Sequence, residues 1–223
     1  MFTENQFSKR DSNNYNAASP DLISKKDIKE TAQTILNIHA KAFPKNIQVY
    51  NLEEMEEMLS NSEVLVSLLK INDSSQENGE SIGYILGYPL TSKAVKLLVE
   101  GNEEIPDSGD AGLTRAVDMS KNNLYIEAAG IIDNIFYKAQ YHKLFSDFLY
   151  HAKNQGYDTI VMHARAETLN NVLKNKEIDI ESPDKETKEK YGVAIFENWW
   201  GLGQRFTRVI IGINDACDLF PSV

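Results

Sequence analysis

Apolar side chains recur along this chain at two different periods, and the alternation between them predicts a mixed α/β fold. From Asp27 the series Ile28, Ala32, Ile35, Leu36, Ile38, Ala42 and Phe43 keeps helical spacing, with Ser24 as a cap and Pro44 as a stop. A second, acidic helix is predicted through residues 52–61, where Leu52, Met55, Met58 and Leu59 share a face and Asn51 caps the first turn. Two apolar runs follow, EVLVSLLKI and IGYILGYPL, joined by a turn rich in Gly, Asn and Ser, which predicts an antiparallel hairpin. Residues 124–132 then read as a buried strand. A long amphipathic helix comes next, carrying Leu144, Phe148, Leu149 and Ala152 and ending at Gly156, and TIVMHA returns to a strand. Strand, helix and strand in that order make a βαβ unit, so the two strands should be parallel neighbours. A helix over 166–175 leads into a charged loop, IDIESPDKETKEK, and the chain closes in an antiparallel hairpin of VAIFENWWG and QRFTRVIIGI around Gly201-Leu202-Gly203.

Two stretches do not fit either period. Residues 1–22 are rich in Asn, Ser, Asp and Lys and offer too little apolar surface to offset the entropy of ordering, so they read as a flexible leader to one domain over 23–223. Residues 91–120, which include GNEEIPDSGDAG, form an irregular insertion. The doublet Trp199-Trp200 should point one ring to each face of its strand.

Composition narrows the function classes. A chain of 223 residues with 42% hydrophobic and 25% charged residues supports one folded core. The formal charge of −10 repels nucleic acid and anionic lipid, so neither is expected as a partner, and it suits a cationic amine substrate. One cysteine, Cys217, allows no intrachain disulfide. The N-terminal residues have no apolar signal region, and no long apolar run occurs, so a soluble, cytoplasmic protein is expected. His39, His142, His151 and His163 are scattered without metal-ligand spacing, so no metal site is expected. Gly-x-Ser-x-Gly, Gly-x-x-x-x-Gly-Lys-Ser/Thr and Gly-x-Gly-x-x-Gly motifs are absent, which withdraws support from hydrolase, nucleoside triphosphatase and dehydrogenase readings.

The stretch SDFLYHAKNQGYDTIVMHARAETLNNVL and the closing ENWWGLGQRFTRVI resemble the GNAT superfamily of acyl-CoA-dependent N-acyltransferases, and the resemblance spans residues 25–213. It implies a GNAT-like mixed sheet with a central βαβ unit and a C-terminal antiparallel hairpin. It also implies that backbone N–H groups at the start of the long helix hold the pyrophosphate of acetyl-CoA or another acyl-CoA, in a loop of pattern Q/R-x-x-G-x-G/A. The register of this chain puts Phe136, Ala139 and Tyr141 at the three motif positions, so the loop is degenerate. The implied cofactor cradle is Tyr137, Lys138, Ala139, Gln140, Tyr141 and His142, with Lys138, His142 and Lys143 bringing positive charge. Gly130, Ile131 and Ile132 would face the pantetheine arm, with Gly130 marking either a bulge or relieved packing. Glu127 would be the base that receives the amine proton. The family's tyrosine acid is replaced by Asn175, which leaves Tyr191 as the candidate acid. The implied function is direct transfer of an acyl group from acyl-CoA to an amine acceptor, compatible with a homodimer. The alternative is a catalytically silent module that binds a protein or another ligand in the same cleft, and the direction of the Tyr141 ring separates the two.

Overall fold

The periods predicted from the sequence fold onto one sheet. The structure, a computed structural model, describes residues 15–18, 27–43, 50–61, 63–71, 80–91, 95, 123–132, 138–165, 183–196 and 206–220. Its elements in chain order are β1 (Tyr15–Ala18), α1 (Ile28–Ala42), α2 (Leu52–Leu59), β2 (Leu65–Ile71), β3 (Glu80–Leu90), β4 (Asn123–Ile131), α3 (Lys138–Asn154), β5 (Thr159–Arg165), α4 (Lys185–Tyr191), β6 (Ala194–Phe196), β7 (Phe206–Gly212) and α5 (Ile213–Leu219). The strands lie side by side in the order β1-β2-β3-β4-β5-β7-β6. Among the described strands only β4 and β5 run parallel, joined through α3 as the βαβ pattern required. The other neighbours are antiparallel, including the predicted β2–β3 and β6–β7 pairs.

Local chemistry explains where the helices start and stop. Asn51 caps α2 in a reciprocal box: its side chain accepts the Glu54 N–H at 3.0 Å, and Glu54 accepts the Asn51 N–H at 2.8 Å. Helix α1 begins after Asp27 instead of at the predicted Ser24. Gly156, with φ of 88°, ends the turn after α3.

Three expectations are corrected. Within the predicted flexible leader, Tyr15–Ala18 forms β1 and pairs antiparallel with β2, because an exposed sheet edge asks only for backbone groups. The predicted charged loop contains α4, where Asp184 accepts the Thr187 N–H at 2.7 Å and Gly192, at φ of 54°, closes the C-terminus. Helix α5 continues the chain directly after β7. The helix predicted over 166–175, the Gly201-Leu202-Gly203 turn, Trp199-Trp200 and all of 91–120 except Thr91 and Val95 lie outside the described residues.

The sheet separates two packed layers. Helices α3 and α5 cover one face, where Leu144, Phe148 and Leu149 meet Leu69, Ile85, Leu124, Ile126 and Ile160. Helices α1 and α2 cover part of the other, where Ile35, Ile38, Met55 and Leu59 meet Val66, Tyr84 and Leu86. Beyond them on that second face sits a small cluster of Tyr88, Leu90, Tyr125 and Val161.

Gly130 permits the close approach of α1 to β4. A Cβ there would stand 2.8 Å from Phe43 Cε2 and 2.9 Å from Tyr84 Cε1. Tyr84 is buried, and its hydroxyl is hydrogen-bonded to His39 Nδ1 at 2.7 Å, so its ring is not free to swing aside. We expect Gly130→Ala to lower the unfolding free energy by about 1–3 kcal/mol, read from urea titrations. An unchanged midpoint would show that α1 yields without cost.

Candidate active site

One irregularity in the sheet brings the reactive side chains together. Along the β3–β4 ladder Leu86 faces Ala128 and the next residue, Gly87, faces Ile126, which leaves Glu127 as the extra residue of a bulge. The bulge aims Glu127 at the face that carries α1 and α2. There Tyr50, just before α2, donates its hydroxyl to Glu127 Oε1 at 3.0 Å, and Tyr88 of β3 donates to Oε2 at 2.9 Å. Both donors are neutral, so the carboxylate is held in place without a counter-ion among the described residues.

Burial pushes the Glu127 pKa up, and the hydrogen bonds from Tyr88 and then Tyr50 oppose that rise without cancelling it. The phenols move the same way: burial, then the Glu127 charge, raises the hydroxyls of Tyr88 and Tyr125 well above the ordinary tyrosine value. They therefore remain protonated donors while the carboxylate accepts. The Tyr88 and Tyr125 rings lie 5.4 Å apart, and the Tyr125 hydroxyl meets His163 Nδ1 at 3.2 Å. Burial, and then the positive charge of Arg208, push the His163 pKa down to about 3, so its ring is neutral at neutral pH.

Strands β4 and β5 part beside this group. Their parallel register ends at Ile126–Met162, while β4 runs on to Ile131 and β5 to Arg165. Glu127 and His163 are thus the first residues on the two arms of a V. Backbone groups alternate between the two neighbours of a strand. The Ile132 N–H donates to the Ile82 carbonyl at 2.9 Å, toward β3, so Ile131 directs its backbone groups into the V.

The other predicted residues are placed unevenly. Gly130 is not the bulge; that position belongs to Glu127, and Gly130 serves the packing of Phe43 and Tyr84. Lys138, Ala139 and Gln140 form the first turn of α3, where amide donors lack partners within the helix. Tyr137 lies outside the described residues. The Tyr141 ring packs against the core of the α3 face, 5.4 Å from Phe145, whereas Glu127 meets Tyr50 and Tyr88 on the opposite face. The His142 ring stands 6.0 Å from Phe220. Lys143 is engaged with Asp147 of its own helix at 3.0 Å. Tyr191 is not brought to Glu127: it packs against the α3 face, with the Lys190 ammonium 5.1 Å from its ring. Asn175 falls outside the described residues.

Reasoning from the sequence missed Tyr50, Tyr88, Tyr125, His163 and Arg208. For Tyr88, His163 and Arg208 the available signal was a polar side chain within a largely apolar strand, as in IGYILGYPL, TIVMHA and FTRVIIG. A cleft of about 490 Å³ between α1 and the β2–β3 edge, bordered by Glu30, Lys41, Lys70 and Glu80, includes none of these groups. Among the described residues no group of three His, Cys, Asp or Glu side chains is placed to hold a metal, and no helix is long and apolar enough to cross a membrane.

Sequence comparison matches no family model and no curated protein. Solved structures do match the fold. The aminoglycoside 6'-N-acetyltransferase from Enterococcus faecium superposes with a TM-score of 0.50 at 13% identity, over 89% of this chain and 97% of that one. Ard1 from Thermoplasma volcanium gives 0.49 at 10% identity, over 89% and 97%. The NatC complex bound to Gag peptide and CoA gives 0.48 at 9% identity, over 89% and 98%. At 13% identity the superposition on the Enterococcus faecium enzyme shows the fold alone, a GNAT-like mixed sheet with a central βαβ unit.

Proposed function

We propose that the chain transfers an acyl group, acetyl foremost, from acyl-CoA to an amine, with Glu127 as the base. The observation that carries this reading is the bulge that sets Glu127 at the mouth of the V between β4 and β5, fixed by two phenols and, among the described residues, without a cation. A carboxylate of raised proton affinity is suited to take a proton from an attacking amine, directly or through one water. The residues present fit the nucleotide as well. The first-turn amides of Lys138, Ala139 and Gln140 offer donors and a partial positive charge to a pyrophosphate, and the backbone of Ile131 offers the pantetheine arm a strand-like partner. In the reaction the amine nitrogen bonds to the acyl carbon, the carbon–sulfur bond breaks, and the proton shed by the amine passes to Glu127. Tyr191, on the far face, has no part in it.

The position of the Tyr141 ring supports this reading over the silent module, because the ring packs against the core of the α3 face. Calorimetric titration with acetyl-CoA tests it. We expect a dissociation constant between about 1 μM and 1 mM, the range in which enzymes meet their substrates. Absence of binding up to millimolar acetyl-CoA, together with absence of thiol release in an amine mixture, would overturn it.

A further inference from the structure

The two phenols on Glu127 come from separate parts of the fold, and each takes a different oxygen. Tyr88 reaches Oε2 at 2.9 Å from β3, the strand beside the bulge, and Tyr50 reaches Oε1 at 3.0 Å from the position just before the Asn51 cap of α2. The bulge leaves Glu127 outside the regular ladder, so the backbone alone does not set where its carboxylate points. One donor on each oxygen does set it, because rotation about the last side-chain bond would break both hydrogen bonds at once.

The two donors are braced unequally. Tyr88 is 2% exposed, packs with Leu90, Tyr125 and Val161, and has its ring 5.4 Å from that of Tyr125. Tyr50 is half-buried against the cluster that α1 and α2 make on the same face. The other titratable groups on this side are Tyr84 of β3, whose hydroxyl is bonded to His39 of α1, Tyr125 of β4, and His163 of β5, which burial keeps neutral at neutral pH. The residues that α2 buries against the sheet, Met55, Met58 and Leu59, do not titrate. What works against burial at Glu127 is therefore the pair of hydroxyls, Tyr88 first and Tyr50 second, since a donor on a carboxylate oxygen favours the charged form.

Resting on the transferase reading, we propose that Tyr88 and Tyr50 are positioning residues of the reaction, which act through Glu127 by holding its carboxylate aimed and in its proton-accepting form. During transfer the acyl carbon–nitrogen bond forms, the carbon–sulfur bond breaks, one amine proton moves to Glu127, and CoA leaves as the thiolate. The phenols exchange no proton with the substrate. Because both hydrogen bonds are stronger to a carboxylate than to a carboxylic acid, they also help Glu127 to shed its proton before the next turnover. Tyr88, the more deeply buried of the two, carries the larger share.

Tyr88→Phe and Tyr50→Phe test this with two readouts. The first needs no turnover: the protein is labelled with carbon-13 at the glutamate side-chain carboxyl, the Glu127 resonance is identified by its loss in Glu127→Gln, and its shift is followed against pH. Its midpoint should be higher than that of the wild type in each Phe variant, and higher in Tyr88→Phe than in Tyr50→Phe. The second readout is the pH profile of kcat/KM with acetyl-CoA and an amine mixture. On the acid limb each variant should lose about tenfold or more, the order expected for a hydrogen bond to a charged group, and should recover as pH rises, with KM for acetyl-CoA unchanged. A midpoint that stays in place or falls, or a rate loss equal at every pH, would overturn the inference and reduce the phenols to packing. A raised midpoint with an unmoved acid limb would overturn it as well, since another group would then take the proton. If the wild type transfers nothing, a raised midpoint still supports the hold of the phenols on Glu127, and the transferase reading alone fails. Should Tyr88→Phe fold poorly in a urea titration, Tyr50→Phe, altered at a half-buried position, decides by the same criteria.

Discussion

Glu127→Gln should cut acyl transfer by about 10²–10⁴-fold, the usual loss when a positioned general base is removed, and should also make the protein more stable at neutral pH. Both effects arise from one cause. Burial raises the Glu127 pKa above its ordinary 4.5, so the folded protein holds that proton more tightly than the unfolded chain does. Between the ordinary and the raised value the native state carries more protons, and stability falls as pH rises through that window. The charged form of this carboxylate is a cost to the fold, softened by the hydrogen bonds from Tyr88 and Tyr50. Glutamine removes the charge and keeps an oxygen that can accept from one phenol. The pH profile of wild-type kcat/KM should rise on its acid limb through a value above 4.5, and the variant should lose that limb. A variant that keeps more than about a tenth of the wild-type rate would show that the proton goes elsewhere.

The contrast between what could and could not be read from the sequence follows from which contacts are local. Helix α2 was legible because Asn51 and Glu54 close their box within four residues, and α3 and β5 because a single strand–helix–strand run carries its own periodicity. Strand β1 was not, because pairing at a sheet edge is made by backbone atoms that any polar sequence has. Helix α4 was concealed by its charge: KETKEKY has no apolar stripe, and its start depends on the Asp184 cap.

The candidate site divides the same way. Glu127 was visible as a carboxylate in an apolar strand, and the resemblance to the GNAT family gave it a role. The bulge that aims it was not visible, since a bulge is a mismatch between two strands and neither strand alone reveals it. For Gly130 a bulge and relieved packing were both open from the sequence, and what it accommodates is Phe43 on a helix far away in sequence. Tyr50, 77 residues before Glu127, and Tyr88, 39 before it, are joined to it only by the fold. Tyr191 was chosen as able to reach the cleft from a neighbouring loop, whereas it ends α4 and packs against the α3-face core.

His163 should govern the response to acid in the sense opposite to Glu127. Burial and the nearby Arg208 hold its pKa at about 3, so the native state refuses a proton that the unfolded chain accepts below about 6.5. The unfolded state then carries more protons, and the stability that His163 contributes is intact above about pH 6.5 and drains away as pH falls toward 3. At about 1.4 kcal/mol per pKa unit the full loss is on the order of 4–5 kcal/mol, of which about 2 kcal/mol falls between pH 6.5 and 5, before most carboxylates titrate. His163→Gln keeps a polar partner for the Tyr125 hydroxyl and removes the titration, so its urea midpoint should change less between pH 7 and pH 5 than that of the wild type. Glu127, whose pKa burial raises, acts in the opposite sense, its contribution to stability growing as pH falls through the raised value. If the slopes of His163→Gln and the wild type coincide, His163 titrates in its ordinary range and the electrostatic account of the site is wrong.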